Sequence, residues 1–330
     1  MKTNSMVQLA PAHKIDYVAP DNFNESDRGL FYDVNFSNLI PAVEMVTIQN
    51  ISISNKYLFN QCIILDRYTS HVSVSFRVRF KSYVKKYIKS IQKIDEVILG
   101  IQDWDHNYFH WMTEVLPAIL AMRERKAVPV LLNSNSIKQK HIVNSLELFQ
   151  IPFVIHDIYN KTGRISKLHM VKVPVVAEYN KQVMFKLQHF FYEKLGIGSQ
   201  LNPRKKIYIS REKANRRKVS NENELISMLV NKGFEVVYLE EYSLAEQVIL
   251  LSEAETVVGI HGAGLTNIMF MKPTTTVIEL KAKDNDYWCF FSLARLFNLK
   301  YKYLLCDTDG TSHRDANIEV PIQQLKKIIL

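Results

Sequence analysis

The sequence has few of the residues that hold together a disulfide-linked protein, and it lacks a long apolar run. Its 330 residues include three cysteines, Cys62, Cys289 and Cys306. An odd number without CxxC spacing argues against a disulfide framework and a cysteine metal site, and favours reduced structural thiols. No run of about 18 apolar residues is present, so no membrane-spanning helix is expected. The first residues lead into no apolar h-region, so no signal peptide is expected either.

Low-complexity tracts and internal repeats are also missing. Hydrophobic residues make up 47% of the chain and charged residues 23%, which is an ordinary globular composition. The length suits two domains better than one. Only roughly the first 25 residues, with the polar run 21–27, are predicted to be loosely ordered.

The charge balance is basic, with a formal net charge of +9. A basic surface favours anionic partners such as nucleic acid, an anionic bilayer or phosphorylated small molecules, and the lysine-rich segment 81–89 contributes to it. The alternative is a basic face that is merely solvated. No RNA- or DNA-binding motif is visible, so no nucleic-acid partner is expected.

Strands that alternate with helices predict an α/β fold with parallel sheets. In the first half, strands are predicted at 43–48, 71–80, 96–101, 128–132, 153–155 and 168–173, with helices at 107–122 and 137–148. In the second half, strands at 206–209, 235–239, 256–260 and 276–280 alternate with helices, which is typical of a doubly wound sheet. The turn formers at 196–203 predict the boundary between an N-terminal domain, 1–198, and a C-terminal domain, 199–330.

Two helix starts in the second half carry capping signals. Ser243 is followed by Glu246, and Asn221 by Glu224, at the spacing of a capping box. Gly233 is predicted to end the helix that starts at Asn221.

A glycine-bearing loop follows the predicted strand 256–260 and precedes a helix that runs through Phe270. Its residues are His261, Gly262, Ala263, Gly264, Leu265, Thr266 and Asn267. Glycines let the backbone approach an anion closely, and a helix N-terminus offers unpaired N–H groups, so the loop suits a diphosphate. It is not the dinucleotide fingerprint, because Asn267 replaces the third glycine. The alternative is a tight turn without a ligand.

Basic side chains at a neighbouring strand end favour the same ligand. Ser210 and Arg211 follow the strand 206–209, and Arg217 lies in a basic run a few residues later. Guanidinium groups match phosphate geometry, so Arg211 and either Arg217 or its neighbour Arg216 are predicted to clamp the diphosphate, unless the run is a solvated loop. Glu279 ends the strand 276–280 and is predicted to accept hydrogen bonds from ribose; the alternative is a surface carboxylate or a salt bridge.

The segment 103–114 is the candidate catalytic wall of the first domain. Asn107, His110 and Glu114 share one face of a helix that is apolar nearly all round, so their polar groups need partners. Asp103 and Asp105 precede them and are predicted to bind acceptor hydroxyls. Pro117 is expected to kink or end the helix. The alternative is a set of structural polar residues.

Together these residues resemble glycosyltransferase family 61. The resemblance rests on the stretch 207–280, with its Tyr-Ile-Ser-Arg strand end and the loop 261–267, and on Asn107-Tyr108-Phe109-His110-Trp111 with Glu114. It implies a GT-B architecture, in which two Rossmann-like domains face a central cleft. It also implies a nucleotide-sugar donor, commonly a UDP sugar, inversion at the anomeric carbon, and neither a catalytic metal nor a cofactor.

Within that resemblance, His110 or Glu114 is the candidate base for a saccharide or glycolipid acceptor, and the residues leave that choice open. Pro273-Thr274 departs from the family's usual Pro-Gly, so this turn is expected to avoid a positive φ. The chain looks more like bacterial members that act in capsule or lipopolysaccharide assembly. A cytoplasmic location, with peripheral association on the anionic inner face of the membrane, is therefore expected.

Two other functions remain open at this point. One is a nucleotide-binding Rossmann enzyme of other chemistry, such as an epimerase or dehydrogenase, which the missing G-x-G-x-x-G disfavours. The other is a non-enzymatic basic protein that binds nucleic acid or a membrane surface, in which a buried Asn-His-Glu face would have no purpose.

Overall fold

The computed structural model divides the chain into two compact units. It describes residues 5–31, 36–55, 57–60, 63–65, 68, 75, 77, 80, 84, 87–198, 200–310 and 316–329. The first unit contains 1–13 and 39–187, and the second contains 14–38 and 188–330. The predicted boundary between two ligand-binding domains at 198/199 stays a prediction.

The N-terminal segment is ordered by pairing, contrary to the expectation from its polar composition. It forms β1 (Ser5–Ala10), β2 (His13–Asp16), a 3-10 helix (Glu25–Phe31) and β3 (Ser37–Ile40). Between β2 and β3, Asp21 binds the backbone of Tyr301 in both directions, each bond 2.7 Å long. The expectation of a loose segment was wrong because these bonds come from residues distant in sequence.

The first unit is built on a mixed sheet. In the described part of the chain, eight strands form it in the order β6-β5-β4-β10-β7-β8-β9, with β1 against β4. The new strands are β4 (Val43–Ser54), β5 (Tyr57–Asn60), β6 (Ile63–Ile64), β7 (Ser90–Leu99), β8 (Val130–Asn133), β9 (Phe153–His156) and β10 (Lys161–Val171). β10, β7, β8 and β9 pair in parallel, and β4 is antiparallel to β10. The chain order reverses between β7 and β10, which makes this pair a topological switch point.

The helix predicted at 107–122 is present, and it continues through Pro117 instead of ending there. This composite helix, α1, consists of an α-turn (Tyr108–His110), a π-turn (Trp111–Val115) and an α-helical part (Leu116–Arg123). Leu116 N–H donates to the Trp111 carbonyl five residues back. Because Pro117 follows directly and has no N–H, the wider turn lets the helix continue through the proline. The other helices of this half are a 3-10 turn (Ser136–Lys138), α2 (Lys140–Leu148) and α3 (Lys181–Leu195).

The second unit contains the predicted parallel sheet. In the part of the chain that the structure describes, six strands lie in the order β12-β11-β13-β14-β15-β16. They are β11 (Lys205–Ile209), β12 (Phe234–Val237), β13 (Ala254–Ile260), β14 (Thr276–Ala282), β15 (Lys300–Thr308) and β16 (Ile318–Glu319). All neighbours are parallel except β16. The chain reverses direction across the sheet between β11 and β13, so the switch point of this unit lies there.

The helices of the second unit follow the predicted pattern with two corrections. They are α4 (Glu222–Val230), a 3-10 turn (Leu239–Glu241), α5 (Leu244–Ser252), a 3-10 helix (Ala263–Phe270), α6 (Cys289–Leu296) and α7 (Ile322–Ile329). Ser243 and Glu246 form the predicted capping box. The Asn221 side chain instead binds the Val320 backbone at 2.9 Å in both directions, so the predicted cap was wrong. The helix after the glycine loop is 3-10 over its whole length, which the residue pattern did not distinguish from α.

The turn Pro273-Thr274 also differs from expectation. Thr274 has a φ of +69°, so the turn keeps the left-handed backbone conformation that glycine would adopt there. The Thr274 N–H donates to the Asn298 carbonyl at 2.8 Å, which holds the residue in that conformation. A β-branched side chain makes this conformation strained.

Each unit has its own apolar core. In the second unit the core includes Tyr208, Leu229, Val258 and Ile278, all essentially inaccessible. The central strand β14 is buried from Val277 to Ala282, as expected for a parallel strand covered on both faces. In the first unit the core includes Ile53, Val97, Leu131 and Leu168.

Some predictions fall outside the described residues. They include Cys62, most of the strand predicted at 71–80 and most of the lysine-rich segment 81–89; within 71–80, Arg77 and Phe80 are helical. None of the helices in the described ranges is both long enough and apolar enough to cross a membrane.

Candidate functional site

The glycine loop and the Ser-Arg strand end meet at the switch point of the second unit. β13 ends at Ile260, and His261 and Gly262 connect it to the 3-10 helix, whose first residues, 263–267, complete the predicted loop. Ser210 and Arg211 follow the neighbouring strand β11. Because ligands of open parallel sheets bind at the carboxyl ends of the strands beside the switch point, this is the expected place for a ligand.

The guanidinium of Arg211 lies directly over Gly262. Its Nε donates to the Arg217 carbonyl at 3.1 Å, and a terminal nitrogen donates to the Arg216 carbonyl at 3.1 Å. A Cβ on Gly262 would lie 2.6 Å from the other terminal nitrogen, so only glycine allows this approach. Burial lowers the pKa of Arg211, but the group starts far above neutrality and stays charged.

Arg217 links the loop that follows β11 to the loop that follows β13. Its terminal nitrogen donates to the His261 carbonyl at 3.2 Å. Its backbone has a φ of +57°, a conformation that a non-glycine residue adopts only when its surroundings impose it. The structure therefore brings Arg211, Arg217, His261 and Gly262 into one cluster, as the sequence predicted.

A buried hydrogen-bonded chain lies behind the loop. His261 Nδ1 is 2.5 Å from Glu279 Oε1, and the Tyr301 hydroxyl donates to Glu279 Oε2 at 2.6 Å. Glu279 is completely buried, so its carboxylate holds His261 in place and does not itself face solvent. The prediction that Glu279 contacts ribose stays a prediction.

The surroundings of this buried pair favour an ionised Glu279 carboxylate and a neutral His261 imidazole. Burial lowers the pKa of His261 and outweighs the opposing effect of Glu279. Complete burial disfavours the charged form of Glu279, but His261, Lys281 and the Tyr301 hydroxyl hold its pKa below the usual value. With Nδ1–H donating to Glu279, the Nε2 atom of His261 is the proton-accepting nitrogen of the ring.

Lys281 is a buried cation close to the hydrogen bonds that join His261, Glu279 and Tyr301. Neither Lys281 nor Tyr301 was identified from the sequence. The Nζ of Lys281 donates to Asn285 Oδ1 at 3.1 Å and to the Tyr287 carbonyl, and it lies 4.5 Å from the centre of the Trp288 ring. Burial lowers its pKa. The only sequence signal was a lysine two residues after Glu279 in a strand that is otherwise mainly apolar.

Other residues predicted to bind the donor lie inside the second unit, where their hydrogen bonds stabilise the loops. The Ser210 hydroxyl donates to Glu222 at 2.7 Å, and Tyr208 donates to the same oxygen at 2.8 Å. Asn267 is completely buried and donates to Gln247 and to the Gly264 carbonyl. Leu265 and Thr266 are also buried, whereas Ala263 and Gly264 remain partly exposed. Within the loop, the backbone of Ala263 and Gly264 is thus the part most accessible to a ligand.

The predicted pair of the first unit also forms. His110 Nδ1 lies 2.8 Å from Glu114 Oε1, one helical turn apart on α1. The Glu114 side chain is buried, and the Trp104 ring lies 4.9 Å from the His110 ring. α1 follows β7, so the pair lies near the carboxyl end of a strand at this unit's switch point. A carboxylate on Nδ1 orients the imidazole and leaves Nε2 as its proton-accepting atom.

The three residues that precede this pair have different environments. Asn107 accepts a hydrogen bond from Phe109 N–H at 2.9 Å and so caps α1. Asp105 is buried and accepts from Gln102 N–H at 3.3 Å, and burial raises its pKa to about 6. Asp103 is partly exposed. Their predicted contact with an acceptor stays a prediction.

Within the described residues, no group of three or more His, Cys, Asp or Glu side chains has the arrangement of a metal site. The two described cysteines, Cys289 and Cys306, are free and buried.

Comparison with known proteins decides the family. A family model described as Glycosyltransferase 61 matches residues 108–278, just over half of the chain. The chain belongs to glycosyltransferase family 61. The matched range includes His110, Glu114, Arg211, Arg217 and the loop 261–267, whereas Asp103, Asp105, Asn107, Glu279, Lys281 and Tyr301 lie outside it.

Curated relatives of this family member match over a shorter stretch. An alpha-1,3-arabinosyltransferase of Oryza sativa subsp. japonica is 32% identical over 103 residues, 29% of this chain and 18% of the relative. An EGF domain-specific O-linked N-acetylglucosamine transferase of Drosophila melanogaster is 33% identical over 106 residues, 30% of this chain and 20% of the relative. That of Gallus gallus is 31% identical over 90 residues, 26% of this chain and 17% of the relative. The matches thus span about a fifth of these relatives.

Proposed function

We propose that this protein is an inverting glycosyltransferase of GT-B type that transfers a sugar from a nucleoside diphosphate, preferably UDP, to a saccharide or glycolipid hydroxyl. The second unit binds the donor and the first supplies the base. The observation that carries the proposal is the Arg211 guanidinium, held over Gly262 at the switch point of a parallel sheet. The names of the curated relatives, an arabinosyltransferase and N-acetylglucosamine transferases, support the transfer of a sugar.

The donor diphosphate lies against Ala263 and Gly264 in this proposal. The first N–H groups of the helix that follows carry about half a positive charge, and Arg211 adds a full one. These groups stabilise the negative charge that develops on the leaving diphosphate, so the reaction needs no metal ion.

The base acts on the acceptor. As the acceptor oxygen bonds to the anomeric carbon, the bond from that carbon to the diphosphate oxygen breaks and the nucleoside diphosphate leaves. The hydroxyl proton passes to Nε2 of His110, while Glu114 holds the ring through Nδ1 and stabilises the imidazolium that forms. The contact through Nδ1 supports His110 as the base and Glu114 as its orienting partner.

The cellular setting is part of the same proposal. The net charge of +9 supports peripheral binding to an anionic membrane, and surface polysaccharide or glycolipid assembly at the cytoplasmic face is the corresponding role.

Donor binding tests the proposal. Thermal unfolding is followed with UDP, GDP, CMP, NAD and a short oligonucleotide, each with and without EDTA. UDP or another nucleoside diphosphate is expected to raise Tm equally in both conditions. Stabilisation only by NAD or by the oligonucleotide would instead support one of the two other functions considered above, and stabilisation that vanishes in EDTA would contradict the metal-free part. Inversion is checked on the transfer product by the anomeric proton coupling in NMR.

A further inference from the structure

A cavity of about 370 Å³ opens beside the carboxyl end of β10, which is one of the two strands that form the switch point of the first unit. Its walls include the end of β10 with residues 171–175, the start of β4, and α1 from Thr113 to Ala118. Met6, residues 40–42, Tyr68 and side chains from the range 178–184 complete the lining. Glu114, the partner of His110, is one of the lining residues. The volume lies within the range of small-molecule sites, and the carboxyl end of a parallel strand at a switch point is where such sites occur.

The lining is mainly apolar. Ile40, Val43, Pro117, Ala118, Val173 and Val183 all contribute to it. Two further lining residues, Met6 and Val175, are 63% and 62% exposed, so apolar surface continues from the cavity to the outside. Exposed apolar side chains that gather at the mouth of an apolar cavity mark a ligand-binding surface more often than isolated ones do.

Negatively charged side chains outnumber positively charged ones in the lining of the cavity. Three carboxylates, Glu44, Glu114 and Glu178, line the cavity, against one ammonium group, Lys172. This balance disfavours an anionic ligand such as a phosphate ester, even though the chain as a whole is basic.

We propose that this cavity binds an uncharged apolar aglycone of the acceptor, an alkyl or aryl group carried on the sugar whose hydroxyl is glycosylated. The inference rests on the proposed function, because it makes Glu114 the wall between the aglycone and the reacting hydroxyl. The volume of about 370 Å³ lies near the lower end of the range of small-molecule sites, which suits a short alkyl chain or an aromatic ring.

Binding of octyl glucoside tests the proposal without knowledge of the natural acceptor. Its affinity, measured below its critical micelle concentration by calorimetry, is compared with those of methyl glucoside and octyl phosphate. Each buried methylene contributes about threefold to fourfold, so octyl glucoside is expected to bind at least about tenfold more tightly than methyl glucoside. It is also expected to bind more tightly than octyl phosphate. Equal affinities of the two glucosides, or tighter binding of octyl phosphate, would overturn the proposal.

Two variants localise the binding. Ala118→Phe fills the cavity from α1 and is expected to abolish the preference for the octyl chain. Ala245→Phe, an equally half-buried helical alanine of the second unit, is the matched control and should keep it. If Ala118→Phe does not fold, Val175→Glu at the exposed rim replaces it and should weaken octyl glucoside binding at least about fivefold. Unchanged binding in the folded variant would show that the octyl chain lies elsewhere.

Nucleotide binding distinguishes a failure of the cavity proposal from a failure of the proposed function. UDP stabilisation is measured on the same samples, and Ala118→Phe is expected to leave it unchanged. UDP binding without an octyl preference would reject the cavity ligand alone, and an octyl preference without any nucleotide binding would reject the proposed function.

Discussion

His261 and Glu279 form one buried pair, with Nδ1 of the imidazole 2.5 Å from Oε1 of the carboxylate. His261 directly follows β13, and Glu279 lies in the middle of the adjacent parallel strand β14. Tyr301 on the next strand, β15, donates to the second carboxylate oxygen. Three neighbouring strands thus fix the orientation of one ring beside the proposed diphosphate site.

Tyr301→Phe is expected to move the acid limit of UDP binding to higher pH. The pKa of Glu279 is held low, so its charge and the stability it contributes are present at neutral pH and lost as the pH falls through that pKa. Removing the Tyr301 hydroxyl raises this pKa, so protonation and loss of affinity begin at a higher pH. The groups that also face the pair are Lys281, Arg217 and Cys289.

Isothermal titration with UDP between about pH 3 and 7.5, a range that extends below the usual carboxyl pKa, measures this shift. Tyr303→Phe is the matched control, because this buried tyrosine of the same strand donates to Asp27 instead. Superimposable pH profiles for wild type and Tyr301→Phe would remove Tyr301 from the positioning of His261.

Arg211→Ala is expected to weaken UDP binding and turnover by about 10- to 150-fold, since a lost charged hydrogen bond costs about 1.5–3 kcal/mol. Gly262→Ala should act in the same direction with little change in Tm, because the added Cβ collides with the movable end of the Arg211 side chain. Gly29→Ala, where a Cβ meets nothing within 4 Å, serves as the control in titration and thermal unfolding. Full UDP affinity in both site variants would place the diphosphate away from Arg211.

Thr274→Gly is expected to stabilise the protein. Thr274 has a φ of +69°, where a β-branched residue is strained by about 1–2 kcal/mol and glycine is not. Glycine in turn lowers the stability by about 0.5–1 kcal/mol, because it increases the conformational entropy of the unfolded chain. The net gain is therefore at most about 1.5 kcal/mol, read as a higher midpoint of urea unfolding. Thr274→Ala keeps most of the strain and is the control; an equal or larger gain with alanine would contradict the explanation by backbone strain.

His110→Ala and Glu114→Gln are both expected to reduce transfer while leaving UDP affinity nearly intact. Loss of a general base costs about 10²–10⁴ in rate. If His110 is the base, its variant is the more severely affected and Glu114→Gln retains part of the rate, because the amide can still accept from Nδ1–H.

Turnover and UDP titration on the same preparations provide the measurement. His189→Ala and Glu147→Gln replace exposed residues of the same types on α3 and α2 and serve as controls. A Glu114→Gln variant slower than His110→Ala would make Glu114 the base. Normal turnover in both would make α1 a packing element only.

Association with anionic vesicles is expected from the net charge of +9. Each lysine or arginine near such a surface contributes about 1 kcal/mol, and salt screens the attraction. Co-sedimentation with vesicles of increasing phosphatidylserine content should therefore rise with anionic lipid and fall with added salt. Binding that depends on neither would argue against an electrostatic membrane contact.

The residue pattern alone determined much of the fold. From β7 to β14 most described strands and helices overlap a predicted one, whereas β1–β3, α3 and every element after β14 were not predicted. Arg211 lies beside Gly262 and His110 beside Glu114, as the motifs suggested, and their roles stay predictions. This success has a local cause. Apolar periodicity specifies each element, and a turn after a parallel strand must lie at the edge of the sheet where ligands bind.

Tertiary structure decided which residues became partners. Glu279 and Tyr301 meet because β14 and β15 are neighbours, and Asp21 reaches Tyr301 across 280 positions of sequence. Strand order of this kind is set by the packing of the whole unit, which no local pattern contains. The same packing imposed the left-handed backbone on Thr274 and let α1 pass through Pro117, where local preference alone predicted the opposite.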